Sequence, residues 1–310
     1  MSGMGKFVHL HVHSEHTVGD SVIRVPQLCE RIRDLGMTAV AVTDLMTVSG
    51  VGELLDEAAR CGIAPILGAE LLVDHEMYPI VTLCESREGA RNLFLLLDDV
   101  ATRRGRFVTK KELANYADGL IGIAGGLYGE IWDAWGEGGE DDAVRCIKML
   151  RDIFARDRFF LELCDTGPGQ TDERQWNEEL LRLARITKTD PVVTGDCRVL
   201  EMSQLGGLGN AGTKLGLHLE DALQRYVTTG KGKYLLRAPQ DYIVRLGRIS
   251  LDAVRNTVAI AGRCRVALGV DARRWLSVNS HLRTGERDTR ISHADDFAEE
   301  KWTDGPGNGK

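Results

Sequence analysis

The chain has 310 residues, of which 43% are apolar and 27% charged, and its net charge is −7. That is enough for one large α/β domain or two small ones, and the acidic balance excludes strong nucleic-acid binding through bulk charge. Seven scattered cysteines with no C-x-x-C pair exclude a disulfide framework and a zinc knuckle. The N-terminus lacks the apolar core of a signal peptide and no apolar run approaches a membrane span, so a cytoplasmic protein is expected.

Taken in order, the segments alternate. FVHLHV (7–12) has strand alternation, and VPQLCERIRDLG (25–36) carries Leu28, Ile32 and Leu35 at helical spacing. A β-branched run follows at 38–44, then a helix over 51–62 with Gly62 as its C-cap. Strands are predicted over 64–73 and 78–84, with a helix from 87 to 102. The basic run 103–111 reads as a solvated face. Further strands fall at 120–125, 159–164 and 190–199, with helices at 141–156 and 174–187 between them. About seven strands, mostly separated by helices, imply a parallel sheet, open or closed into a barrel whose strand C-termini form the active face.

The chemistry gathers at those ends. Alternation in the first strand puts His9, His11 and His13 on one face, while Asp44, Glu70 and Asp196 lie at or near other strand ends. Histidines and carboxylates converging at one mouth suit zinc, iron or manganese. GLGNAG (207–212) matches a dinucleotide pattern, yet no strand leads into it and no acid follows at the required distance, so it is set aside.

FVHLHVHSEHTVGD, LGMTAVAVTD and GIAPILGAELLV, in that order, resemble the PHP (polymerase and histidinol phosphatase) domain. More narrowly they resemble the N-terminal PHP domain of the bacterial DNA polymerase III alpha subunit. The likeness continues through FFLELCDTGPGQ, DPVVTGDCRVL and RNTVAIAGRC and covers about residues 5–270. It implies an α/β fold, a distorted (β/α)7 barrel related to the TIM barrel, followed by a polar tail over 271–310.

The resemblance also implies a site of about nine ligands for up to three metals. Five positions are kept: His11, His13, Asp20, Glu70 and Asp196. Four are lost, where Leu45, Pro79, Gly126 and Arg198 stand instead. His11, His13, Glu70 and Asp196 would together hold one divalent ion, zinc, manganese or iron. Arg198 brings a permanent cation and is expected to hold Asp196 or Glu70 in a charge-assisted hydrogen bond. The plainer alternative is a satisfied polar cluster around Arg198 with no metal. His16 and Asp20 are the candidates to contact phosphate or water, and His9 is expected behind the ligands. His75, His218, His281 and His293 read as surface residues.

Three functions stay open. The first is a stand-alone degenerate PHP module with a binding or scaffolding role in DNA replication, docking on replicative polymerase or proofreading exonuclease subunits. The second is a metal-dependent phosphoesterase, a hydrolase acting on a nucleotide, a sugar phosphate or a DNA 3′ end. The third is a remnant of a replicase gene. No paired palm aspartates can be located, so the chain is not expected to polymerise DNA by itself.

Overall fold

The computed structural model describes residues 7–204 and 234–264. Six strands form one sheet in the order β1 (Ala39–Val42), β2 (Ala64–Val73), β3 (Tyr78–Cys84), β4 (Leu120–Ala124), β5 (Phe159–Cys164) and β6 (Pro191–Thr194). Residues 7–13 join the two edges. His9 bridges Val40 in parallel on one side, and Val12 bridges Cys197 in parallel on the other. The expected seventh strand is therefore an extended segment that closes the ring of pairings rather than a regular ladder.

The sheet is mixed, which corrects the expectation of a parallel one. β3 runs antiparallel to both β2 and β4, while the remaining pairs are parallel. The cause is the length of the β2–β3 connection. Only residues 74–77 join the two strands, with Asp74 and Met77 both at φ 58°. A hairpin that short cannot carry the crossover that a parallel pair needs.

Two apolar layers follow. The smaller fills the inside of the curl: Val8 and Leu10, Ala39 and Ala41, Ile66, Val81 and Leu83, Ile121 and Ile123, Phe160 and Val192. The larger lies outside, between the strands and helices α1 (Val25–Asp34), α2 (Val51–Cys61), α3 (Arg87–Thr102), α4 (Lys110–Tyr116), α5 (Glu130–Phe154) and α6 (Thr171–Thr187). After the undescribed residues 205–233 come α7 (Pro239–Leu246) and α8 (Leu251–Cys264). α8 lies under β6 and sends Ile260, Ala261 and Cys264 into the inner layer, and its Thr257 hydroxyl accepts the Val8 N–H at 3.2 Å.

Most sequence-based elements appear within a few residues, and Gly62 caps α2 in the left-handed conformation as expected. Two differ. α5 begins at Glu130 instead of residue 141, with Gly139 at φ 69° interrupting its helical path. α4 was not anticipated, although its start carries a capping box, Thr109 with Glu112. The basic run before it is solvated in part: Arg103 pairs with Glu112, and Lys110 with Asp74 and Glu130. All seven cysteines are buried and unpaired. No helix among the described residues is long and apolar enough to cross a membrane. The expectations for GLGNAG, His218, His281, His293 and the tail fall outside the described residues.

Register in the first segment decides where its histidines point. Ala41 donates its N–H to the His9 carbonyl at 2.9 Å, and Thr43 donates to Val12 at 2.8 Å. Two steps along β1 thus match three along the segment, which is a bulge of one residue. The bulge breaks the alternation. Val8 and Leu10 face inward, and so do His11 and His13, whereas Phe7, His9 and Val12 face the outer layer.

His9 therefore does not stand behind the ligands. Its ring meets Phe7 and Tyr242 edge-on, and its Nε2 lies 3.1 Å from the Arg237 carbonyl. Burial, together with the Arg237 charge and against the pull of that carbonyl, lowers its pKa to about 4. The folded state holds His9 neutral while the unfolded chain protonates it below about 6.5. Its contribution is complete above pH 6.5 and is lost as pH falls towards 4. Between pH 7 and pH 5 this one group removes about 2 kcal/mol. His9→Leu is expected to flatten that part of the melting-temperature profile, and an unchanged slope would show that His9 is not the titrating group.

Candidate metal centre

The strand ends bring together the inward side chains of four positions. His11 and His13 come from the bulged segment, Glu70 from β2, and Asp196 from just beyond β6. His11 Nε2 lies 3.1 Å from His13 Nε2, 3.5 Å from Glu70 Oε1 and 3.7 Å from Asp196 Oδ1. His13 Nε2 lies 3.5 Å from Glu70 Oε2 and 3.4 Å from Asp196 Oδ1. All four side chains are buried.

Hydrogen bonds behind the rings set their tautomers. His11 donates from Nδ1 to Glu162 Oε1 at 2.8 Å. The Thr17 hydroxyl donates to Asp44 at 2.7 Å and so accepts from His13 Nδ1 at 3.2 Å. Each imidazole in its neutral form then presents the Nε2 lone pair to the same point as the two carboxylates. Asp44, the acid of the Thr-Asp pair, also takes the N–H and hydroxyl of Ser14, at 2.6 and 2.7 Å, and so fixes the whole 14–17 loop.

Glu162 is the functional residue that sequence reasoning missed. It lies inward on β5, two residues beyond the core residue Phe160. Its Oε1 takes hydrogen bonds from His11 and from Thr194, the latter at 2.7 Å, and the backbone N–H of Gly126 also donates to the carboxylate. A side chain at Gly126 would begin 3.2 Å from Glu162 Oε2. Glu162 thus stands beside the position where the family's ligand is missing. The available signal was the alternation in FFLELC, which places Phe160 and Glu162 on one face.

Arg198 enters the same site. It donates from Nε to Asp196 Oδ1 at 2.8 Å, contacts His13 Nε2 from Nη2 at 3.3 Å, and pairs through Nη1 with Asp20. The expected bond to Asp196 is present, and the second carboxylate it holds is Asp20. Asp20 is buried against this guanidinium, so the geometry does not present it to a substrate. His16 is also not where a phosphate-contacting group is needed. It turns outward, with Nε2 3.3 Å from Glu53 and Nδ1 3.2 Å from Ser49. Of the other lost positions, Leu45 is half-buried and donates its N–H to Thr17 at 3.0 Å, and Pro79 is half-buried at the start of β3.

The electrostatics show a shortage of positive charge. Asp20 and Asp196 pair with the one permanent cation, Arg198, while Glu70 and Glu162 are left to the imidazoles of His11 and His13. Burial opposes a charged His11, but Glu162 and Asp196, with hydrogen bonds to Glu162 and Glu70, outweigh it and raise its pKa well above the usual value. Glu162 is held below the usual carboxylate range against its own burial, by His11 first and then by Thr194 and Gly126. His13 is pushed down by burial, Arg198 and His11. Asp196 is pushed up, to about 8, by burial and by Glu70 and Glu162, against the pull of His11.

The donor set fits a divalent ion. Ligands about 2.0–2.1 Å from a tetrahedral ion stand about 3.4 Å apart; here one ligand atom each of His11, His13 and Glu70 lies within 4.8 Å of the other two, and Asp196 Oδ1 stands 3.7 and 3.4 Å from the two imidazole Nε2 atoms. Two imidazoles and two carboxylates suit zinc, manganese or iron. Both rings are already anchored through their second nitrogen, as metal-bound histidines usually are.

A family model described as the PHP domain matches residues 9–166, which takes in His11, His13, Glu70 and Glu162. The DNA polymerase III subunit alpha of Vibrio cholerae serotype O1 is 30% identical over 274 residues, 85% of this chain and 23% of that protein. The subunit from Escherichia coli K12 is 28% identical over 273 residues, again 85% of this chain and 23% of that one. The chain therefore spans about a quarter of the length of these relatives. Among solved structures, an amidohydrolase from Chromobacterium violaceum, with bound sulfate and no metal, is 13% identical at a TM-score of 0.48, covering 62% of this chain and 87% of that one. The match over half of the sequence, laid on strands that deliver its inward histidines and carboxylates to one mouth, establishes that this chain belongs to the PHP domain family.

Proposed function

We propose that this domain holds a single divalent metal ion, zinc, manganese or iron, between His11, His13, Glu70 and Asp196. We further propose that it acts as a replication-associated binding module rather than as a phosphoesterase. The observation that carries the reading is the convergence of the two Nε2 lone pairs on two buried carboxylates, beside an arginine that already holds Asp20 and Asp196. Phosphoester hydrolysis in sites of this kind relies on neighbouring ions that clamp the phosphate and generate hydroxide. Here Arg198 takes up the acids that a neighbouring ion would use, and His16 faces away. Relationship to the polymerase III alpha subunit points to replicative polymerase or proofreading exonuclease subunits as partners, in the cytoplasm.

The test is elemental analysis of purified protein with His11→Ala beside it. About one ion per chain, absent from the variant, is expected. Because an ion bound only to the folded state stabilises by mass action, chelation is expected to lower the melting temperature of the wild type and leave His11→Ala unmoved. Metal-free protein whose melting temperature ignores added zinc or manganese would sink the metal reading. Turnover of phosphate monoesters abolished by His11→Ala would replace the binding role with hydrolysis. Native co-purification with no replication subunits recovered would count against the docking role.

A further inference from the structure

An aromatic surface that the metal centre does not use runs from the loop after β4 onto α5. Tyr128 precedes the helix, and Trp132 and Trp135 stand one turn apart on it. The rings touch in series. Tyr128 meets Trp132 edge-on at 6.3 Å between centroids, and Trp132 stacks with Trp135 at 6.1 Å. Beneath them the buried Trp176 of α6 packs edge-on at 5.0 and 5.8 Å and donates its indole N–H to the Gly125 carbonyl. The outer rings are open to solvent, Tyr128 at 51% and Trp135 at 37%. Single exposed apolar residues are ordinary, but contiguous rings on a rigid support mark interaction surfaces.

The rings are held out rather than left to collapse. Tyr128 has φ 65°, a left-handed backbone that is costly for a tyrosine. Its turn is closed by the Gly129 N–H on the Gly126 carbonyl at 3.2 Å. Trp135 is tethered at one edge by a hydrogen bond to the Glu179 carboxylate, which leaves its face available.

The surrounding charge selects the partner. Residues 128–142 contain six acids, Glu130, Asp133, Glu137, Glu140, Asp141 and Asp142, and no lysine or arginine. Lys110, Arg182 and Arg145 pair with Glu130, Glu140 and Asp142. Glu137 and Asp141 are exposed, and no ion pair among the described residues takes them up. Such a rim repels a phosphate backbone. A guanidinium gains from both the ring faces and the carboxylates beside them.

We propose that Tyr128, Trp132 and Trp135 form a docking surface for an arginine-bearing segment of a partner protein. The proposal rests on the docking part of the function given above and not on the ion, and it specifies the face that docks.

The experiment is fluorescence anisotropy on the full chain with a labelled arginine–serine repeat peptide, a lysine–serine counterpart and oligothymidylate. Wild type is expected to bind the arginine peptide, the lysine peptide more weakly and oligothymidylate not at all. Trp135→Ala removes a ring and no charge, and is expected to weaken arginine-peptide binding about fivefold. Tyr128→Gly also relieves the left-handed backbone, so it is expected to weaken binding with no loss of melting temperature. Equal affinity in wild type and both ring variants, or a preference for oligothymidylate, overturns the surface. Peptide binding that the ring variants lose upholds it even if native co-purification recovers no replication subunit. Equal peptide binding alongside recovered replication subunits overturns this surface and leaves the docking role to another face.

Discussion

Arg198→Ala is expected to lower the melting temperature by roughly 10 °C at neutral pH in metal-free protein, through a loss of about 3–5 kcal/mol. The guanidinium is 12% exposed and its two carboxylate partners, Asp20 and Asp196, are buried. Removing it leaves Asp20 and Asp196 without the cation that pairs both, and an uncompensated buried charge is among the largest single-residue penalties. Added zinc or manganese should then recover part of the loss, because a cation is again present. Arg198→Lys should fall between, since an ammonium keeps the charge but loses the fork that reaches both acids. The measurement is thermal unfolding with and without added metal. An unmoved melting temperature in Arg198→Ala would mean that the acids are satisfied by solvent and protons.

A second large effect is expected at Asp165, just past β5. Its carboxylate takes two hydrogen bonds from Arg245, at 2.7 and 2.9 Å, and one from Arg237 at 3.3 Å. Arg237 is buried, lies 4.3 Å over the Tyr242 ring and also donates to the Asp165 carbonyl. Asp165→Ala strands that arginine without its counter-charge and should remove about 3–5 kcal/mol. The damage should be local first, because Asp165 is the main polar tie between the sheet and the α7 segment. Hydrogen exchange should accelerate in residues 239–246 before it does so in β1 to β4. Uniform acceleration, or none, would argue that packing of Tyr242 and Leu246 alone holds the segment.

The parts of this structure that were legible in sequence are those governed by one local rule. Short apolar runs such as 159–164, buried at every position, declare themselves by length and composition, and apolar stripes such as Leu54, Leu55 and Ala58 do so because burial on one helix face leaves a repeat. The candidate ligand positions His11, His13, Glu70 and Asp196 were legible through the family likeness, and the fold brings their side chains close to one another. What escaped depends on pairing between distant segments. The bulge that sends His9 outward is invisible in HLHVH itself, since it exists only as a mismatch against β1. The reversal of β3 follows from a four-residue hairpin, a length cue outweighed by the strand–helix alternation around it. Glu162 was passed over because a lone acid in an apolar strand has no motif, and only its neighbours Thr194 and Gly126 reveal its role. α5 starts early because tertiary contacts of Ile131 and the tryptophans Trp132 and Trp135 carry the helix through three glycines whose propensity argues against it.

The position of α8 bears on how the domain is made. Its residues Ile260, Ala261 and Cys264 form the floor under Val8 and Leu10, and Thr257 holds the Val8 amide. The first and last described pieces of the chain are therefore structural neighbours separated by some 250 positions. During synthesis the histidine-bearing segment emerges some 250 residues before α8 and waits, its underside uncovered, until that helix has been translated. Contacts of such long sequence separation close slowly, so completion of the mouth that gathers His11 and His13 belongs to the last stage of folding.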